Sequence, residues 1–236
     1  MALPPSCRSG FIESCPRKAR RASADDEQGL TMIDILPKET ALLVIDPQND
    51  YCHPEGSLAK SGVDVSVWAE TTPQIAELIK VCQSAGIRDI WTRHYNCPDD
   101  HGRAQKRLKP HTLKRKTVTC QPGSWGSEFL DELNPLVTEG SRVLDKYRFS
   151  AFYGTTLETL LNIFGTRLLI ICGSTTNACV DTTIRDAYVR NFDVVAVEDC
   201  IAGVRKDWHE MALQVWKHYL GEVVKLDELR RMIKKA

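Results

Sequence analysis

Cys179 is the residue of this chain with the most chemistry in reach; it lies in Gly-Ser-Thr-Thr-Asn-Ala-Cys-Val, residues 173–180. The apolar run Arg-Leu-Leu-Ile-Ile-Cys (167–172) precedes it and reads as a buried strand. Val180, Ile184, Ala187 and Tyr188 follow and mark one face of a helix. Cys179 therefore falls at a strand-to-helix turn, on or just before the first helical turn. Unpaired backbone N–H groups carry partial positive charge there, which favours a thiolate, the nucleophilic form of cysteine. The plainer alternative is a small buried apolar cysteine.

Two more residues bear on that choice. Asp46 ends the run Ala-Leu-Leu-Val-Ile-Asp (41–46), and Pro-Gln-Asn-Asp (47–50) after it is a loop signal. An acid directly after a buried strand points into the crevice where open α/β sheets bind ligands, unless it only caps a turn. Lys146 follows the short strand pattern 142–145, inside Lys-Tyr-Arg-Phe-Ser-Ala-Phe (146–152). Taken alone it reads as a solvated surface charge. Together, three strand ends place an acid, a cation and a thiol around one crevice. The cation stabilises the thiolate, the acid exchanges a proton with it, and the sulfur attacks a carbonyl.

The elements that must position them alternate along the chain. Strand patterns cover 41–46, 87–92, 142–145, 168–172, 193–198 and 222–224. Thr72-Pro73 opens a helix with Ile75, Ala76, Leu78, Ile79 and Cys82 facing inward, and Gly86 ends it. Ser127 caps a short helix carrying Phe129, Leu130 and Leu133. Further helices span 156–164, 176–190 and 206–220, with a terminal helix after 224. This alternation predicts an α/β fold: one domain, doubly wound, with a mostly parallel six-stranded sheet and helices on both faces.

The order Asp46, Lys146, Cys179, each at a strand end, resembles the isochorismatase-like cysteine hydrolases. The resemblance spans about residues 38–225 and rests on Leu-Val-Ile-Asp-Pro-Gln-Asn-Asp (43–50), Lys-Tyr-Arg-Phe-Ser-Ala-Phe and Gly-Ser-Thr-Thr-Asn-Ala-Cys-Val. It implies attack of Cys179 on an amide or ureido carbonyl. Asp46 then shuttles the proton to the leaving nitrogen, and Lys146 lowers the thiol pKa. It implies an oxyanion hole from the backbone N–H groups of Thr175 and Cys179, and a cis peptide bond between Ser174 and Thr175. Gln48 is placed to touch substrate or steer Asp46, with a turn role as the alternative. Trp125, Phe152 and Tyr153 are candidates for pocket walls, with core packing as the alternative.

The match departs from nicotinamidases, whose metal site uses an Asp-x-His pair plus another histidine. The corresponding strand end here reads Trp-Thr-Arg-His-Tyr-Asn (91–96), with His94 but not that spacing, and His53 and His101 do not stand at ligand spacing with it. Convergence of Asp50, His53 and His94 in space is the remaining route to a metal site. His94 is expected in the pocket or the structure, and no metal or cofactor is expected. True isochorismatases share the Lys-Tyr-Arg-Phe-Ser-Ala-Phe resemblance but lack the cysteine and cleave a vinyl ether. Cys179 points to covalent C–N hydrolysis instead, and Thr-Arg-His (92–94) followed by Pro98-Asp99 and later the Gly-Ser-Trp turn (123–125) looks closest to the ureidoacrylate, carbamoyl and biuret hydrolase side. Ether cleavage, nicotinamidase activity, a non-catalytic binding module, and a thiol sensor resolved by Cys172 are the competing readings.

Composition narrows the partners. With 31 basic and 31 acidic residues in 236, no net field recruits nucleic acid or an acidic membrane, and no apolar run is long enough to span a bilayer. The nine cysteines form no Cys-x-x-Cys pair, which suits free thiols in the cytoplasm. Residues 1–30 read as a disordered segment, a leader or an early start before Met32, with an organelle transit peptide as the alternative, and 31–236 as the hydrolase domain. Arg103, Lys106, Arg107, Lys109, Lys114, Arg115 and Lys116 form a basic loop, expected to be a solvated flap, a subunit contact or an attractor of carboxylate substrates. The partners expected are a small amide or ureido substrate and, from the resemblance, further copies of the chain in a dimer or tetramer.

Overall fold

Strand β1 (Thr40–Ile45) buries all six of its residues, and β4 (Leu168–Ser174) all seven. A strand with no polar alternation needs cover on both faces, and so belongs in the middle of a parallel sheet. The computed structural model of the protein, which describes residues 33–100 and 118–233, places them there. The strand order is β3-β2-β1-β4-β5-β6, with β2 at Arg88–His94, β3 at Arg142–Lys146, β5 at Asp193–Ala202 and β6 at Glu222–Val224. All five pairings are parallel, so the sheet is wholly rather than mostly parallel. The segment 1–30, His101 and the basic loop lie outside the described residues.

Alternating side chains serve two cores. Leu43, Ile45, Leu169 and Ile171 pack with Leu157 and Leu161 of α4 (Leu157–Ile163), Ile184 of α5 (Asp181–Val189) and Trp216 of α6 (Lys206–Tyr219). Leu42, Val44 and Cys172 point the other way. That face is covered by Ile75, Ile79 and Cys82 of α3 (Val67–Ser84) and by Leu229 of α7 (Leu226–Ile233), tied to α3 by the Arg230–Glu77 ion pair. Two short helices, α1 (Asn49–Cys52) and α2 (Ser57–Lys60), follow β1 where the sequence reads only as loop. Among the described residues no helix is long and apolar enough to cross a membrane.

Several boundaries differ from expectation. Helix α3 starts at Val67, and Pro73 sits inside it rather than at its mouth. Proline deprives the Ala69 carbonyl of its donor, but both residues are exposed, so the loss falls on the solvent side of the helix. The expected helix after Ser127 is absent. Asn49 N–H donates to the Glu128 carbonyl at 2.9 Å and Leu130 N–H to the Pro47 carbonyl at 2.9 Å, so this backbone pairs with the segment after β1. The expected helix at 176–190 divides into a wide π-type turn, Thr176–Val180, and then α5. Strand β2 runs on to His94 and β5 to Ala202.

Strand order reverses between β1 and β4, where the crossovers from the sheet centre leave in opposite directions. That opens a crevice at the strands' carboxyl ends. Ile45 there pairs with Gly173, whose φ of +116° is open only to glycine. A Cβ on Gly173 would also overlap the Ile45 carbonyl oxygen. Gly173→Ala is expected to lower stability by about 3 kcal/mol or more, read from the urea midpoint. An unshifted midpoint would show that the β1–β4 junction relaxes.

Candidate active site

Four strand ends converge at the crevice. Asp46 follows β1, His94 ends β2, Lys146 ends β3, and Cys179 sits in the turn after β4. Register explains the alignment: Ile45 pairs with Thr92, and His94 with Lys146. Strand β3 is mostly exposed, and Lys146 is its one buried residue.

Lys146 Nζ stands 2.7 Å from Asp46 Oδ2 and donates to Cys179 Sγ at 3.2 Å and to the Arg148 carbonyl at 3.1 Å. Those three directions match the three hydrogens of an ammonium. Asp46 and Lys146 are wholly inaccessible to solvent, and Cys179 is 5% exposed. Thr92 holds the acid: its hydroxyl donates to Asp46 Oδ1 at 2.7 Å, and its carbonyl accepts the Asp46 N–H at 3.2 Å. Asp46 adopts φ of +46°, which its short polar side chain tolerates better than most. Beyond the lysine, Oδ2 has no hydrogen-bond partner among the described residues, so it keeps a lone pair for the thiol proton.

The electrostatics of the buried thiol run against the expected lowering of its pKa. Burial pushes the Cys179 thiol up, the Lys146 ammonium pulls it down, and the Asp46 carboxylate pushes it up again; the balance lies well above a free cysteine. Burial is the largest of these effects, larger than the pull of the lysine. Burial pulls Lys146 down, but Asp46 and then Cys179 more than offset it, and it stays an ammonium.

The turn carrying Cys179 is braced from the lysine loop. Thr183 Oγ1 donates to the Cys179 carbonyl at 2.6 Å and accepts the Ala151 N–H at 3.0 Å. Ser150 Oγ donates to Asp186 and accepts the Phe152 N–H at 3.1 Å. Ser150-Ala151-Phe152 thus ties the loop after Lys146 to the helix after Cys179. Thr92, Thr183 and Asp186 escape sequence reasoning, since isolated polar residues carry no spacing signal. The Ser174–Thr175 peptide bond is cis, and the Thr175 carbonyl accepts the N–H groups of Ala178 at 3.0 Å and Val180 at 3.3 Å.

The remaining candidates separate. His94 reaches the site, with Nδ1 3.8 Å from Cys179 Sγ and 3.2 Å from the Tyr51 hydroxyl. Phe149 lies edge-on to its ring at 6.1 Å and is 55% exposed at the mouth; neither Tyr51 nor Phe149 stood out in the sequence. Gln48 is not free for substrate. Its amide accepts the His94 N–H at 2.7 Å and donates to the carbonyls of His94 at 3.1 Å and Ser127 at 2.8 Å, locking the ends of β1 and β2. Phe152 is core, stacked near Phe192 and under Arg190, rather than a pocket wall. Trp125 is half exposed and packs edge-on to His53 at 5.1 Å. Tyr153 is exposed and lines an open cavity of about 310 Å³ with Cys97, Asp100, Tyr147 and Arg148.

Asp50, His53 and His94 do not assemble a metal site. Asp50 accepts the N–H groups of Ser57 at 2.8 Å and Cys120 at 2.6 Å, and His53 Nδ1 accepts that of Glu55 at 3.0 Å. A different trio converges: an Asp46 oxygen, a His94 nitrogen and Cys179 Sγ lie within 4.8 Å of one another. The cation already among them is the Lys146 ammonium.

A buried acid, ammonium and thiol at the switch point of a parallel sheet form an arrangement consistent with the triad of a cysteine hydrolase. The family model described as the isochorismatase domain matches residues 40–228. Ureidoacrylate amidohydrolase RutB of Pantoea ananatis is 33% identical over 179 residues, covering 71% of this chain and 70% of that protein. A cysteine hydrolase from Pseudomonas syringae pv. phaseolicola superposes with a TM-score of 0.74 at 28% identity, over 86% of this chain and 96% of that one. Nicotinamidase PncA from Bacillus subtilis gives 0.68 at 25%, over 79% and 99%. The chain belongs to the isochorismatase family.

Two measurements probe the site. Lys146→Met strands the Asp46 charge in the interior and is expected to cost about 3–5 kcal/mol in chemical denaturation, most of it recovered in Asp46→Asn/Lys146→Met. Alkylation of Cys179 should rise with pH through the neutral range without a plateau; a plateau below neutrality would mean a resting thiolate.

Proposed function

We propose that this protein is a cysteine-dependent amidohydrolase that cleaves a C–N bond of a small amide, ureido or N-carbamoyl compound through a thioester on Cys179. The observation that carries the reading is Lys146 Nζ bridging Asp46 Oδ2 and Cys179 Sγ with all three side chains buried. A thiol beside a carboxylate and an ammonium can lose its proton and gain a counter-charge in one motion. The amidohydrolase relative supports the same reaction class.

In this reading Asp46 takes the thiol proton as Sγ bonds to the substrate carbonyl carbon, and Lys146 balances the developing thiolate. The oxyanion sits on the backbone N–H groups of Thr175 and Cys179. Asp46 returns the proton to the leaving nitrogen, the C–N bond breaks, and an amine or ammonia departs. Asp46 then deprotonates a water that adds to the thioester, and collapse releases the acid and restores the thiol. His94, Tyr51 and Phe149 stand where the substrate's other substituents would lie.

Ammonia release from nicotinamide, ureidoacrylate, biuret, N-carbamoyl amino acids and oxamate tests this directly. At least one should be hydrolysed, with Cys179→Ala lowering the rate by about a thousand-fold or more. Undiminished ammonia release in Cys179→Ala would sink the covalent route, and no release from any of these compounds would shift weight to ether cleavage.

A further inference from the structure

The turn that carries Cys179 is held from outside the triad. Thr176, its first residue, is wholly inaccessible to solvent, and its Oγ1 lies 2.8 Å from Nδ1 of His209 on the first turns of α6. Its neighbour Asn177 donates from Nδ2 to the Trp208 carbonyl at 2.9 Å. On the remaining side Gly203 backs against Thr176; a Cβ there would come within 3.0 Å of Oγ1 and 3.1 Å of the Thr176 Cβ. Two consecutive residues of the turn are thus gripped by two consecutive residues of α6, with a glycine leaving just enough room.

We infer that His209 is a positioning residue for the nucleophile: through Thr176 it holds the 176–180 turn in the shape that aims Cys179 Sγ and the backbone N–H groups at the substrate. A π-type turn is less self-supporting than an α-helical one, because its carbonyls reach across wider loops. The Thr175 carbonyl here serves Ala178 and Val180. An external tether is what such a turn needs to keep one geometry. Burial also holds His209 below the usual imidazole pKa, against the pull of Glu198 and Glu210. A neutral ring offers Nδ1 as donor or acceptor to the hydroxyl, whichever tautomer is present.

The turnover readout of this inference rests on the amidohydrolase reading, so a substrate-independent readout accompanies it. His209→Phe keeps a flat aromatic ring, somewhat larger, and removes both nitrogens; His209→Asn places an amide atom where Nδ1 stands. In His209→Phe, kcat should fall about ten- to hundred-fold with KM within about two-fold, and the rate of Cys179 alkylation should change several-fold. His209→Asn should restore most of both, while thermal midpoints stay close to that of the unmodified protein. Thr176→Val should reproduce the His209→Phe phenotype and serves as the second variant if that protein does not fold. Unchanged kcat and alkylation in a folded His209→Phe would overturn the inference, as would an Asn variant no better than Phe. If no panel compound is hydrolysed, the alkylation rates alone decide, and the proposed reaction fails separately.

Discussion

Everything at the catalytic end of this molecule depends on one buried ion pair, Asp46 with Lys146. Withdrawing two charges from water costs several kcal/mol for each, and their attraction offsets this only if geometry is good and the remaining donors and acceptors are satisfied. Here they are. Thr92 takes the second carboxylate oxygen, while the Arg148 carbonyl and Cys179 sulfur take the ammonium hydrogens not aimed at the acid. The pair must be dry for the sulfur beside it to respond to a single proton, and it must be held for the dry state to persist. Much of the surrounding architecture serves those two needs.

The wholly parallel sheet meets the first need. Strand ends that share a switch point bring side chains from distant segments into one place without a long loop, and helices on both faces exclude water beneath them. Braces meet the second. Gln48 joins the ends of β1 and β2, Thr183 and Ser150 join the lysine loop to α5, and His209 with the Trp208 carbonyl joins the cysteine turn to α6. Only the Ser150 brace ends on a charge, the Asp186 carboxylate, which is paired with Arg190. A neutral hydrogen bond fixes distance without adding a field that would compete with the triad.

Desolvation gives the thiol its resting character. A helix N-terminus and a nearby ammonium both favour thiolate, yet Cys179 is pushed up because burial is the larger effect. In the proposed reaction such a thiol is activated as Asp46 takes its proton.

Legibility in the sequence follows the kind of physics involved. The apolar runs 41–45 and 168–172 announced central strands, because burial on both faces leaves no other composition. Asp46, Lys146 and Cys179 were readable as strand-end residues because a polar side chain directly after such a run has one place to go. Gln48 and Phe152 were named, but their roles as a backbone lock and a core aromatic depend on partners some 46 and 40 positions away. Tyr51, Phe149, Thr183 and His209 left no periodic trace. What the sequence by itself determined is the order of buried and polar segments, and with it the sheet and the identities of the acid, cation and thiol. What only the tertiary structure decided is which hydrogen bonds saturate which side chain, and how far water is excluded. Both are sums over neighbours distant along the chain, and they decided that Gln48 is occupied, that His94 faces the sulfur, and that burial pushes the thiol pKa up.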